Sequence, residues 1–167
     1  MSRYTDLIGL PYIDGKQDCY SIVRRYFAEN YDLNLRNYAR PSRFWEDDQL
    51  DLYKMFKLEG AKPVLDDTIE LGDVLLMPLF TPFATHACIV VGDNLILHHP
   101  PGRLSCVEPM RPKWTNRANV VVRHPVVTAA NAKKPVEKLH LHEIINAQVL
   151  QSPEFQAAAK RVLESGR

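Results

Sequence analysis

Residues 86–99 read HACIVVGDNLILHH. Two short, β-branched apolar runs flank Gly92-Asp93-Asn94, and a turn signal between such runs reads as an antiparallel hairpin. Each run carries histidine at its outer end, so the hairpin register decides which imidazoles share a face. A two-residue turn at Asp93-Asn94 pairs Gly92 with Leu95 and puts His99 on the face of His86. A three-residue loop from Gly92 to Asn94 pairs Val91 with Leu95 and puts His98 there instead. The sequence leaves both registers open.

Outward from the hairpin strands (Ala87–Val91 and Leu95–His98), the runs Val64–Leu65, Val74–Leu76 and Val120–Arg123 are also short, β-branched and bounded by Gly, Pro or Asp, as strands are. Upstream the period changes. GLPYIDGKQD, residues 9–18, is rich in turn formers. Cys19, Ile22, Val23, Tyr26 and Phe27 then follow the i, i+3, i+4 rule of a helix face, with Asp18 as its N-cap and Asn30 as its expected terminator. A second helix is expected within residues 43–59, with Phe44, Leu52, Met55 and Phe56 as its apolar stripe and Gly60 as its stop. Helices first and strands afterwards give an α+β domain with a mostly antiparallel sheet.

Residues 126–134, VVTAANAKK, read as a linker. Beyond them Ser152-Pro153-Glu154 is a helix start with proline at the first position. Phe155, Ala158, Ala159, Val162 and Leu163 form a short amphipathic face, too short to stand alone in water and therefore expected to pack on the domain or on a partner.

The bulk numbers exclude several classes. With 167 residues, 46% of them apolar, the chain has room for one domain with a core. A formal net charge of +1 provides no field that would draw nucleic acid or an anionic membrane. No apolar run is long enough to span a bilayer. MSRYTDLIGLPY lacks the plan of a signal peptide, so synthesis in a cytoplasm is expected. Three cysteines, at 19, 88 and 106, are odd in number and form no CxxC pair, which suits reduced thiols.

Cys19 stands where a helix N-terminus lowers a thiol pKa and where unpaired N–H groups can hold an oxyanion. A cysteine in a first helical turn is also a common structural residue. His86 and His98 raise the chemical reading, because one imidazole can serve the thiol while the second fixes its tautomer. The competing reading is a pair of satisfied histidines at a sheet end. His86, Cys88, His98 and His99 are also residue types that bind zinc, two from each strand. Cys88 shares the face of His86 by alternation and is the rival thiol, while Cys106 is placed in the loop after the hairpin.

GLPYIDGKQDCYS with Tyr12 and Cys19, LGDVLLM at 71–77, HACIVVG, and His98 twelve residues after His86 together resemble the NlpC-type cell-wall peptidases, a papain-like cysteine peptidase family. The resemblance covers residues 8 to 124. Within that family, ILHHPPGRLSCVEPMRPKWTNRANVVVRHP is similar to the tail-assembly and tail-tip branch of tailed bacteriophages. The resemblance implies a papain-like NlpC-type fold in which N-terminal helices carrying the nucleophile pack on the sheet, followed by a C-terminal helical extension. It implies Cys19 as nucleophile, His86 as general base and His98 as the orienting third residue, with His99 in reserve. Tyr12, Asp18 and Tyr20 are expected around the site. Where bacterial members read D-C-S-G, this chain reads Asp18-Cys19-Tyr20-Ser21, so their preference for the amino end of the stem peptide does not carry over.

The activity so implied is hydrolysis of an amide in peptidoglycan stem peptides, between γ-D-glutamate and a diamino acid, with no cofactor and no metal. An alternative is a structural tail-tip component with a vestigial or secondary hydrolase site. The expected division is a peptidase domain over residues 1–127 and a linker and helical extension over 128–167 that docks to other tail-tip or hub proteins. The expected location is the virion's tail tip, after synthesis in the bacterial host cytoplasm.

Overall fold

The computed structural model describes residues 3–41, 51–66, 68–79, 81–92, 94–133 and 139–140. Helix α1 runs over Cys19–Tyr31 and opens on a full capping box: Ser21 N–H donates to Asp18 Oδ1 at 2.9 Å, and Asp18 N–H donates to Ser21 Oγ at 2.6 Å. Its apolar stripe, Ile22, Val23, Tyr26 and Phe27, is buried as the periodicity requires. The helix does not stop at Asn30. It continues to Tyr31 and ends at Asp32, whose φ of 51° gives the left-handed cap. Asn30 instead uses its amide to clasp the N-terminal segment, accepting from Arg3 N–H at 2.7 Å and donating to Arg3 C=O at 2.8 Å. Helix α2 is shorter than expected, Leu52–Leu58, and buries Leu52, Met55 and Phe56. Phe44 lies outside the described residues.

The strands are β1 Lys62–Pro63, β2 Thr68–Ile69, β3 Val74–Met77, β4 His86–Gly92, β5 Leu95–His98, β6 Cys106–Pro109, β7 Val120–Arg123 and β8 Leu139–His140. Two further helices are α3, Pro112–Thr115, and α4, Pro125–Asn131. The main sheet has the order β1-β7-β3-β4-β5-β6 with every neighbour antiparallel, and β2 pairs with β8 apart from it. Both faces of the main sheet are covered, which is why β3 reads as an unbroken apolar run, VLLM, rather than an alternating one. Leu76, Ala87, Ile89, Val91 and Leu97 pack against α1 and α2. Leu75, Cys88, Val90 and Ile96 meet Met110 and Trp114 on the other side.

Three expectations are corrected. The strand expected at Val64–Leu65 sits two residues earlier, as the edge strand β1, and Leu65 is 88% exposed. Cys106 is not in a loop but opens β6, opposite His98. Residues 125–131, most of the expected linker, are helix. His124 caps it by accepting from Val126 N–H, Val127 is buried, and Asn131 donates to Glu70 and to Leu71 C=O. α4 therefore crosses the expected division at residue 127 and packs on the core. The helix expected after Ser152 lies outside the described residues. No helix among the described residues is long and apolar enough to cross a membrane.

Two ion pairs, one partly and one fully buried, fix the ends of this assembly. At the mouth of β3, Asp73 takes a two-pronged bond from Arg123, 2.7 Å on each side, and ties β3 to β7. At the start of α1, Arg40 Nε donates to Asp18 Oδ2 at 2.7 Å with both side chains fully buried. Arg40 also donates to the carbonyls of Tyr38 and Gly15 and lies over the Tyr20 ring at 4.8 Å. Gly15 is required there: its φ is 67°, and an added Cβ would collide with the Arg40 carbonyl oxygen. Removing one partner from such a pair strands a buried charge. Arg40→Leu is expected to lower unfolding free energy by about 3–5 kcal/mol in urea denaturation. A loss below about 1 kcal/mol would contradict this account.

Candidate functional site

The hairpin settles the histidine register by an irregularity. Gly92 pairs with Leu95, as for the two-residue turn, but a bulge between Val90 and Gly92 shifts the ladder by one residue. From there Val90 faces Ile96 and Cys88 faces His98. His98 therefore shares a sheet face with His86 and Cys88, and His99 points to the other. Both open alternatives contained part of the answer: the first pair beyond the turn has one register and the histidine end has the other.

His86 and His98 are buried and joined through Nε2 and Nδ1 at 3.1 Å. Trp114 packs against both rings, at 6.3 Å from His86 and 4.7 Å from His98 between centroids. The Nδ1 of His86 and the Nε2 of His98 are buried with no hydrogen-bond partner. Glu108 Oε1 lies 3.9 Å from the latter. Burial pushes both imidazoles down, His86 to about 3 and His98 to about 4, the latter against the upward pull of Glu108.

Cys19 occupies the first position of α1 and is 2% exposed. Its Sγ–H points to the carbonyl of Thr85 at 3.9 Å, and the backbone of Ala87 is a second neighbour, so the thiol lies against the chain on both sides of His86. The expected lowering of its pKa is not what this environment produces. Burial, and then the neighbouring Asp18 carboxylate, push the thiol up to about 12, against smaller opposing effects from Arg40 and backbone N–H groups. The helix start favours a thiolate, but exclusion of water and the capping carboxylate outweigh it.

Tyr12 comes to the site by way of His99, whose ring it meets edge-on at 5.2 Å, and Cys19 is among the groups that raise its pKa after burial. Its side chain helps line a groove of about 620 Å³ shared with Pro11, Gly102, Arg103, Leu104 and Cys106. Asp18 is a cap and ion-pair partner rather than an exposed polar group. Tyr20 is fully buried, hydrogen-bonded to Arg36 C=O at 2.9 Å, and packs on Phe56 and Arg40, away from the groove lining. Its place in the motif is explained by the Arg40–Asp18 clamp.

Of the four residues weighed for zinc, His86, Cys88 and His98 bring their donor atoms within 4.8 Å of one another, and His99 is not in that group. A second group, His98, Cys106 and Glu108, meets the same criterion. The His86–His98 bond already engages one nitrogen of each ring in the first group. In the second, Lys113 Nζ at 3.2 Å and Arg103 at 4.0 Å already offset the charge of Glu108. Sequence reasoning missed Arg40 and Glu108. The alternation Cys106-Val107-Glu108 in β6 was the available signal for Glu108; nothing local links Arg40 to Asp18.

A thiol at a helix start, set at the end of an antiparallel sheet that carries a bonded pair of imidazoles, defines a papain-like α+β domain. Residues 9–123 match the NlpC/P60 family, and the chain belongs to that family. It is similar to tail tip assembly protein K of Escherichia phage N15, 28% identical over 127 residues, covering 75% of this chain and 52% of that protein. It is also similar to tail tip assembly protein K of Escherichia phage lambda, 29% identical over 118 residues, covering 71% of this chain and 59% of that protein. The chain thus spans between half and three-fifths of these relatives' length. Among solved structures, an NLP/P60-family protein similar to lipoprotein from Staphylococcus aureus shares the fold, with a TM-score of 0.51 at 13% identity over 71% of this chain and 37% of that one.

Two predictions follow from the burial of the site. Unfolded histidines bind protons near pH 6.5, whereas folded His86 and His98 resist until about 3 and about 4. Their contribution is complete above pH 6.5 and is lost as pH falls toward 4, by up to about 1.4 kcal/mol per pH unit for each ring. Denaturation midpoints measured from pH 7 to 4 are expected to fall accordingly, with a shallower slope in His98→Asn. For the thiols, half-buried Cys106 is expected to react with iodoacetamide ahead of Cys19 and Cys88, which mass spectrometry of the alkylated protein reads directly.

Proposed function

We propose that this chain is a cysteine peptidase of a phage tail tip that hydrolyses amide bonds in peptidoglycan stem peptides, of the γ-D-glutamyl–diamino acid type. The observation that carries the reading is the placement of Cys19: its thiol lies against the backbone flanking His86, whose Nε2 is bonded to His98 and whose Nδ1 is unpartnered. In the proposed reaction Cys19 Sγ–H gives its proton to His86 Nδ1 as sulfur attacks the carbonyl carbon. The oxyanion is held by the Cys19 backbone N–H, one of the donors that a helix start leaves unpaired. The imidazolium returns the proton to the leaving amine, and the C–N bond breaks to leave a thioester. Water, deprotonated by the same imidazole, then releases the carboxylic acid and restores the thiol. His98 orients His86, and Tyr12 stands at the groove side. With the thiol high and the imidazole low, the pair rests neutral, so the proton moves during attack rather than before it.

The tail setting is supported by the two similar tail tip assembly proteins, and residues 128–167 are the proposed docking segment, with α4 as their fixed root. Truncation for a docking test therefore belongs after Lys133, beyond the end of α4. A second reading, an assembly component with a secondary hydrolase site, is favoured by the burial of Cys19 in the resting chain. Cys19→Ala is expected to abolish release of peptides from purified peptidoglycan while the thermal midpoint is kept, with fragments identified by mass spectrometry. Full activity in that variant would exclude Cys19 as the nucleophile; an inactive wild type would favour the assembly reading.

A further inference from the structure

A neutral imidazole carries one N–H and one lone pair, so the 3.1 Å bond between His86 Nε2 and His98 Nδ1 has two possible directions. If His98 donates from Nδ1, His86 accepts at Nε2 and holds its own proton on Nδ1, where a base toward Cys19 needs a lone pair. If His86 donates from Nε2, its Nδ1 is free to accept a proton, and His98 carries its own proton on Nε2. The two arrangements use the same heavy-atom positions. What selects between them is the group beyond His98 Nε2.

That group is Glu108. Its Oε1 lies 3.9 Å from His98 Nε2, longer than a hydrogen bond but within ion-pair reach of that nitrogen, and resting sites often close such gaps when substrate binds. An ionised carboxylate accepts and cannot donate. Glu108 is kept ionised and held in place by the groups around it: Lys113 Nζ and Trp114 Nε1–H both reach Oε2 at 3.2 Å, and Arg103 lies 4.0 Å from Oε1. The Cys106 thiol is 3.9 Å from Oε1 and also offers a donor. Trp114 packs edge-on against the His98 ring, at 4.7 Å and 79°, so one residue sets both the ring and the carboxylate beside it.

We propose that Glu108 is a positioning residue that selects the Nε2–H tautomer of His98 and, through the His86–His98 bond, leaves His86 Nδ1 unprotonated and facing its task as base. The inference rests on the peptidase reading for its purpose, but the tautomers themselves can be observed without any activity. When His86 takes the thiol proton, the same carboxylate stands behind the pair to offset the new charge.

Glu108→Gln gives an unusual expectation. Lys113 and Trp114 both donate to the Oε2 side, so the amide oxygen takes that side and the NH₂ group faces His98 Nε2. A donor there requires the lone pair at Nε2 and reverses both tautomers. Glu108→Leu merely removes the bias. A residue that served only packing would show the opposite order, with Gln mild and Leu severe.

The experiment is ¹H–¹⁵N NMR of the histidine rings at pH 7 in ¹⁵N-labelled full chain, for wild type, Glu108→Gln and Glu108→Leu, with peptidoglycan kinetics alongside. In wild type, His86 and His98 are both expected as Nε2–H. In Glu108→Gln, His98 is expected as Nδ1–H and kcat falls roughly 10²–10⁴-fold, the worth of a correctly protonated base, with KM little changed. Glu108→Leu is expected to give mixed tautomers and a smaller loss. His98 found as Nδ1–H in wild type, or tautomers unchanged in both variants, would overturn the proposal. Tautomers behaving as stated in a wild type that cleaves no peptidoglycan would uphold it and overturn the peptidase reading alone.

Discussion

The carboxylate of Asp18 is the constraint from which the rest of the site is built. It is withdrawn completely from water, and a buried carboxylate persists only where it is paired and hydrogen-bonded. Ser21 N–H supplies one bond as the helix cap, and Arg40 supplies two more from 22 residues away. Arg40 is itself satisfied by the carbonyls of Gly15 and Tyr38 and by the face of Tyr20. One ion pair therefore fixes where α1 starts, how the preceding loop closes and where the next segment returns. Cys19, the residue after the cap, inherits its position from all three.

The same closure explains the electrostatics of the thiol. A carboxylate one residue away would ordinarily repel a thiolate at close range, and burial removes the water that would screen it. Arg40 offsets part of that repulsion, but by less than burial and Asp18 each raise the thiol. The device that fixes the geometry of the Cys19 thiol thus also holds it protonated. Geometry and reactivity pull against each other here, and the fold favours geometry.

How much of this could be read from the chain depends on whether the signal was local. The start of α1 and its buried stripe, the hairpin strands and Val120–Arg123 follow from spacing within a few residues, and all appear where the pattern puts them. β6 was missed because Cys106-Val107-Glu108-Pro109 alternates only weakly and ends in proline, which is tolerated there because β6 is the sheet edge. α4 was missed because its N-cap is His124 rather than Ser or Asp, and its sequence, PVVTAAN, is held helical by burial of Val127 and by Asn131 rather than by propensity. Arg40 and Asp18 meet only through tertiary closure, so no periodicity could pair them.

The hairpin bulge links local and distant logic most directly. One extra residue between Val90 and Gly92 leaves the turn ladder as the dipeptide prefers and yet carries His98, not His99, to the face of His86. On that face His98 meets Trp114, Cys88 and the carboxylate of Glu108; on the other, His99 meets Tyr12. Without the bulge His99 would turn to that face and His98 to the side of Tyr12. A phenol hydroxyl can donate or accept, so it leaves the tautomer of a neighbouring imidazole undecided. A carboxylate decides it. What gives the His86–His98 bond a direction is therefore the face on which it lies, and the bulge assigns His98 to that face.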